Sequence, residues 1–269
     1  RHHLKARPQM HPRLERVACD LLDDEACERA LERLRPARIV LCAALSRLAD
    51  CEADPGRALR MNAALPGRIA MWAREHGARL VFVSTDLVFG GVPAPMRGWS
   101  EDASVAPVSR YGDSKAAGEA AVAAYSADAV VARLPLLFGD SFDRALGASD
   151  SLLAALARGE RPLLFEDEWR TPLDVTDAAD ALLELAANSF RGVLHVAGPE
   201  RVDRVRLAVL VLRARGFNEI EARAKISQGT RASLGMDSTR PADVALDTTL
   251  ARKLLAVKLR GVTEALTPH

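Results

Sequence analysis

Apolar positions along the chain fall by turns into short continuous runs and into i, i+3, i+4 spacings, and this alternation persists to about residue 216. LERVACDL (14–21) reads as a short apolar strand, and DDEACERALERL (23–34) as a helix with Asp23 at its N-cap. ARIVLCAAL (37–45) is a continuous apolar run, the pattern of a strand covered on both faces. A helix is predicted over 55–76, a buried strand at RLVFVST (79–85), a helix over 109–125, and a strand at AVVARLPLLFG (129–139) that stops at Gly139. Further along, SLLAALARG is helical, PLLF extended, VTDAADALLELAAN helical, GVLHVAG a strand and VDRVRLAVLVLRARG an amphipathic helix. Past that point the pattern weakens through EIEARAKI and a polar loop to a last helix, TTLARKLL.

Buried strands alternating with helices predict an α/β fold, a doubly wound parallel sheet of Rossmann-like type. The weaker C-terminal third predicts a small substrate lobe. The expected division is a dinucleotide-binding domain over 1–140 and a mixed region over 141–269, whose later strands and helices return to the main sheet. Such a fold opens with strand, glycine turn and helix, so that a pyrophosphate meets backbone N–H groups. No G-x-G-x-x-G occurs in the 269 residues, and the chain starts where a third strand is expected. The expectation is that about thirty residues, carrying that first strand and turn, precede Arg1.

Composition narrows the partners. The net charge is +1, from 37 basic and 36 acidic residues, which gives no electrostatic ground for nucleic acid or an anionic membrane. No apolar run approaches the ~20 residues of a membrane-spanning helix, and RHHLKARPQM has no apolar segment behind it as a secretory leader would. Cys19, Cys27, Cys42 and Cys51 form no C-x-x-C pair, so they read as free thiols packed as small hydrophobes in a reducing cytoplasm. No metal site is expected. Asp174, Asp177 and Asp180 open a predicted helix, where capping and the helix dipole account for them.

Candidate chemistry centres on RYGDSKAAGEA (110–120). Tyr111 and Lys115, four apart, share a helix face; an ammonium beside a phenol would lower the phenol pKa and suit proton transfer near neutral pH. A solvated helix face is the plainer reading of the pair taken alone. Ser84, Thr85 and Asp86 end a buried strand at the sheet edge where ligands bind in open α/β folds, although the same residues also suit a simple turn. Pro135 breaks the following strand, because it has no N–H for a ladder. His195, inside an apolar strand, reads as a core histidine, and His2, His3 and His11 as solvated.

Together, S-T-D-x-V-F, Y-x-x-x-K and R-x-P-x-L-F-G resemble the extended short-chain dehydrogenase/reductase superfamily. WSEDASVAPVSRYGDSKAAGE, RTPLDVTDAADALLELA, GVLHVAGPE and RPADVALDTTLARKLL are most similar to the dTDP-4-dehydrorhamnose reductase family, over roughly residues 15–256. The resemblance implies Thr85, Tyr111 and Lys115 as catalytic residues, with Lys115 also holding the nicotinamide ribose. It implies Asp20 and Leu21 beside the adenine, Ala43 and Ala44 on the cofactor path, and Asn62 supporting the site. Cys42 stands where the family has a polar residue, and Arg133 and Pro135 match positions beside the nicotinamide. Ser84, Asp86, Arg170 and Arg240 are the implied substrate contacts, guanidinium forks being suited to a nucleotide diphosphate.

Leu87 replaces the Glu that sugar dehydratases need, which disfavours dehydration. The implied activity is NAD(P)H-dependent reduction of a keto group on a nucleotide-activated sugar, by a cytoplasmic monomer or homodimer. NADPH is slightly favoured over NADH, with Arg1 facing the 2′-phosphate. The alternatives are a non-catalytic NAD(P)-binding regulatory subunit, such as that of methionine adenosyltransferase, and a ketoreductase or epimerase for another substrate.

Overall fold

The structure, a computed structural model, describes residues 14–92, 94–141, 147–236 and 240–267; Arg1, His2, His3 and His11 fall outside them. In chain order, α1 (Asp24–Leu34) leads to β1 (Arg38–Leu41). Next, α2 (Leu48–Ala53) and α3 (Pro55–Leu59) run through a π turn at Arg60–Ala64 into α4 (Leu65–Glu75), and β2 (Arg79–Thr85) follows. Beyond a long loop come α5 (Arg110–Tyr125), β3 (Val130–Leu134), β4 (Leu137–Phe138) and α6 (Ala148–Ala157). Short strands β5 (Leu163–Phe165), β6 (Trp169–Arg170) and β7 (Leu173–Asp174) precede α7 (Val175–Ala187), β8 (Gly192–His195), β9 (Val202–Asp203) and α8 (Arg204–Arg213). The last described elements are α9 (Glu219–Ala224), β10 (Ser227–Gly229), α10 (Thr249–Leu254) and α11 (Val262–Leu266).

Four parallel strands in the order β1-β2-β3-β8 form the central sheet. Alternation along β2 divides its side chains between two cores. Leu80 and Phe82 join Ile69, Ala73 and Val122 of α4 and α5 on one face, and Val81 joins Leu182 and Leu185 of α7 on the other. Helices therefore cover both faces, the doubly wound Rossmann-like arrangement that the pattern predicts. A third core, built on Leu207, Val211 and Leu212 of α8 with Leu152 of α6 and Val262 of α11, forms a lobe beyond the C-terminal ends of the strands. β4 pairs with β7, joining the lobe core to the main one, while β5 pairs with β10 and β6 runs antiparallel to β9.

Two strand expectations need correction. Residues 14–20 form no strand, because no described neighbour offers them a ladder, and Leu14 is exposed. The ARIVLCAAL run pairs only over Arg38–Leu41, at the sheet edge, and is exposed at Arg38 rather than covered on both faces. Asp23 does cap α1, accepting from the Ala26 N–H at 3.0 Å. Cys27 and Cys51 pack in the interior as expected, whereas Cys42, just past the end of β1, is exposed.

A proline shapes the helix under the site. Pro66 has no N–H to give the Asn62 carbonyl, and its ring crowds that oxygen. The helix widens there into the π turn, in which Leu65 N–H reaches back to the Arg60 carbonyl. The Asn62 carbonyl abuts α5 at Gly118, where a Cβ would lie 2.1 Å from it and 3.0 Å from the Phe82 ring. Gly118→Ala should therefore destabilise the protein by about 3 kcal/mol in chemical denaturation, since overpacking against backbone outweighs the ~1 kcal/mol that alanine gains in a helix. A neutral or stabilising result would mean that the two helices do not meet so closely.

Candidate active site

The C-terminal ends of β1, β2 and β3 and the first turns of α5 converge on one place. Ser109 caps α5, accepting from Gly112 N–H at 3.2 Å, and Glu52 of α2 accepts from Arg110 N–H at 3.0 Å. Asn62, fully buried, fastens the loop after β1 to the same helix. Its Oδ1 accepts from Leu45 N–H at 2.8 Å, while its Nδ2 donates to the Leu45 carbonyl and to Ser114 Oγ, both at 2.9 Å. Ala43 and Ala44 lie in the loop so held.

Thr85 ends β2 and its Oγ1 caps the following turn, accepting from Leu87 N–H at 3.2 Å and donating to Asp86 Oδ1 at 3.1 Å. The Tyr111 phenol lies near enough to this hydroxyl to be influenced by it. Lys115, one turn along α5, points inward: its Nζ donates to the Val83 carbonyl at 2.6 Å and sits 4.0 Å from the centre of the Phe82 ring. Only 1% of this residue is exposed. An ammonium has three N–H donors, and among the described residues one acceptor serves them.

The electrostatics reverse one expectation. Tyr111 is not made more acidic by Lys115. Burial, followed by the neighbouring Asp86 carboxylate, raises the phenol well above its ordinary value, against the pull of Thr85 and Arg170. It is Lys115 that moves toward neutrality, pushed down to about 7 by burial, with Glu119 and Cys42 opposing the change. Tyr111 is therefore a phenol fully protonated at neutral pH, near the Thr85 hydroxyl at the strand tip.

Ser84, Arg133 and His195 occupy neighbouring register positions on β2, β3 and β8 and form a separate buried row. Glu119 of α5 binds it: Ser84 Oγ donates at 2.5 Å, and Arg133 donates from Nη2 at 2.7 Å and from Nε at 3.0 Å. Arg133 Nη1 lies 3.2 Å from His195 Nε2. Burial, then the Arg133 charge, push His195 down to about 4, so it is neutral. Arg133 is 4% exposed, held by protein partners, and Pro135 separates β3 from β4 just beyond it.

A second ionic cluster stands where the lobe meets Asp86. Arg170 Nη1 donates to Asp86 Oδ2 at 2.8 Å and its Nη2 to Glu168 Oε1 at 3.3 Å. Arg240 donates to Glu168 Oε2 from Nε at 3.1 Å, with its Nη2 at 2.9 Å. The fork of Arg170 thus binds the protein's own carboxylates rather than standing open. Asp20 lies apart, its Oδ1 accepting from Leu22 N–H at 3.0 Å, with half-buried Leu21 between them. Asp174 caps α7, and Asp177 binds Arg260, Nη2 to Oδ1 at 2.7 Å.

Sequence reasoning missed Glu119 and Glu168. The available signal was a charge at a position that helix or strand periodicity makes internal, as with Glu119 four residues after Lys115.

Comparisons with known proteins agree with this architecture. The family described as RmlD substrate binding domain matches residues 1–268. Methionine adenosyltransferase 2 subunit beta of Rattus norvegicus is 30% identical over 214 residues, covering 77% of this chain and 62% of that protein. The dTDP-4-keto-6-deoxy-D-glucose reductase of Streptomyces niveus is 29% identical over 201 residues, 73% of this chain and 67% of that one. The crystal structure of dTDP-4-dehydrorhamnose reductase from Bacillus anthracis, in complex with NADP, superposes with a TM-score of 0.81 at 22% identity, covering 92% of this chain and 85% of that one. No helix among the described residues is long and apolar enough to cross a membrane. With a family match along nearly its whole length, the chain belongs to the RmlD substrate binding domain family.

Proposed function

We propose that this chain carries the reducing site of an NAD(P)H-dependent reductase acting on a keto group of a nucleotide-activated sugar. One observation supports it above the others: a Tyr111 phenol held protonated near Thr85 at the sheet edge, with a buried Lys115 one helical turn further along α5 that has donors to spare. Those donors suit the hydroxyls of a ribose, so the nicotinamide-ribose half of the cofactor fits these residues. When bound, the reduced nicotinamide supplies the hydride. Tyr111 gives the carbonyl oxygen its proton, Thr85 hydrogen-bonds the developing alkoxide, and Lys115 orients the ribose. Because Tyr111 is held protonated, it enters the reduction as an acid without prior activation.

The test is oxidation of NADPH by the purified protein given dTDP-4-dehydrorhamnose. Tyr111→Phe should lower kcat at least a hundredfold, the usual span of a lost general acid being ~10²–10⁴. Undiminished turnover in that variant removes the mechanism.

A second reading rests on the likeness to methionine adenosyltransferase 2 subunit beta, of whose length the chain covers 62%. The reductase fold would then serve as an NAD(P)-binding subunit without turnover. Cofactor binding with no oxidation across a panel of keto-sugars is the result that selects it.

A further inference from the structure

A basic cavity of about 400 Å³ lies at the β8 side of the molecule. Arg97 of the loop after β2, Arg201 of the loop after β8, and Asp247, Thr249 and Arg252 at the entry to α10 are among its lining residues. Since α10 packs beside β8, the outermost strand, the cavity is offset across the sheet from Thr85 at the tip of β2, with β3 between those two strands. Neither Thr85, Tyr111 nor Lys115 lines it. Its floor is a fixed piece of backbone. Trp99 N–H donates to the Ala245 carbonyl at 2.8 Å, Asp247 N–H to the Trp99 carbonyl at 2.7 Å, and Leu246 N–H to Thr171 Oγ1 at 3.1 Å. The concavity is therefore formed before any ligand arrives, as small-molecule sites usually are.

Three guanidiniums share this lining with one carboxylate. Arg201 is engaged already, donating to Asp243 Oδ2 from Nε at 2.9 Å and lying over the Trp169 ring. Arg97 and Arg252 are exposed, and among the described residues neither makes a hydrogen bond or an ion pair. Asp247 sits near both, its Oδ1 accepting from Thr249 N–H at 2.8 Å. Burial opposes the change, but the hydrogen bonds from Thr249, followed by the Arg97 and Arg252 charges, hold the Asp247 carboxyl below its ordinary value. With Asp243 set against Arg201 and Asp247 against one of the others, a positive charge is left over. A concave surface of one sign concentrates counter-ions.

We infer that this cavity is a second ligand site, separate from the candidate active site, which takes a small polyanion through Arg97 and Arg252. Guanidinium forks match carboxylate and phosphate oxygens in pairs, so the ligand is defined by clustered oxyanions rather than by a sugar or a base. The volume leaves room for more than one acidic group and falls within the ~300–1,000 Å³ common for small-molecule pockets. Arg201, held by Asp243 and Trp169, forms the wall behind the two free forks. The site does not depend on the reductase reading.

Calorimetric titration of the purified protein at low ionic strength, with inorganic pyrophosphate and separately with citrate, tests this. At least one probe should bind with a Kd tighter than about 1 mM. Arg97→Gln and Arg252→Gln should each weaken that binding about fivefold or more, and Arg97→Lys should keep only part of it, because an ammonium offers no fork. Binding of both probes means that clustered oxyanions of either kind are recognised; binding of one assigns the site to phosphate or to carboxylate oxygens. Each supports the site. Both arginines are exposed, so the urea midpoints of the variants should match that of the wild type, which separates lost binding from lost folding. A probe held only in the candidate active site is insensitive to these substitutions. Unchanged affinity in both glutamine variants therefore overturns the inference, as does failure of the wild type to bind either probe. A matching loss of dTDP affinity in the same variants would make the cavity part of the active-site cleft, and overturns it too.

Discussion

Lys115→Met is expected to make the ligand-free protein more stable while abolishing turnover. The side chain is buried, and its amine falls from an ordinary value of 10.5 to about 7. Every tenfold loss of proton affinity on folding corresponds to about 1.4 kcal/mol between the two protonation states. Below pH 7 both folded and unfolded chains carry the proton, and the cost of burying the charge is complete. As pH rises from 7 toward 10.5 the folded amine is neutral while the unfolded one still binds its proton, so wild-type stability climbs through that window. Methionine has similar bulk and no charge. After subtracting the hydrogen bond to the Val83 carbonyl, a gain of roughly 2–4 kcal/mol at pH 7 remains, shrinking to nothing near pH 10. Urea denaturation across that range measures it. A wild-type stability flat from pH 7 to 10, with no gain in the variant, would show that Lys115 is not buried as a charge. A charge kept buried at such a cost is the mark of a residue held for a ligand.

The pair formed by Glu119 and Arg133 predicts an effect of similar size and opposite sign. Removing one partner leaves the other charge buried, so Glu119→Ala or Arg133→Ala should each cost about 3–5 kcal/mol. Glu119→Leu combined with Arg133→Leu should be far less damaging than the sum of the two single leucine changes, because no lone charge remains. A double-mutant cycle read by denaturation decides the matter. Additive losses below about 1 kcal/mol apiece would show that the pair is solvated. The same cycle reports on the site indirectly, since Glu119 is also the carboxylate that opposes the fall in the Lys115 pKa.

Elements whose burial follows from local pattern were legible in the sequence. VTDAADALLELAAN forms α7 over Val175–Ala187, and RLVFVST forms β2 over Arg79–Thr85, where Thr85 reaches the sheet edge as its strand position implies. Pro135 does separate two strands, for want of an N–H. Features that depend on a distant partner were not legible. The strand expected at 14–21 lacks a neighbour, and periodicity cannot report a missing ladder. The π turn was hidden because LPGR reads as a plain helix start. The rise in the Tyr111 pKa comes from burial and from Asp86, which is remote in sequence, while the nearby Lys115 invited the opposite expectation. Arg170 looked like an open fork because its two carboxylate partners, Asp86 and Glu168, belong to different elements.

The widened turn at Arg60–Ala64 carries a consequence for how relatives of this chain can diverge. Pro66 displaces the Asn62 carbonyl, and only a residue without a Cβ at position 118 leaves room for it. Were position 66 to regain an N–H, the helix could close its ordinary turn and open a void against α5; a side chain at 118 would first need the carbonyl withdrawn. Single steps at either position are thus selected against while the other stands. Among homologues, positions 62, 66 and 118 should drift together or stay fixed, a correlated trio belonging to backbone packing rather than to the reaction.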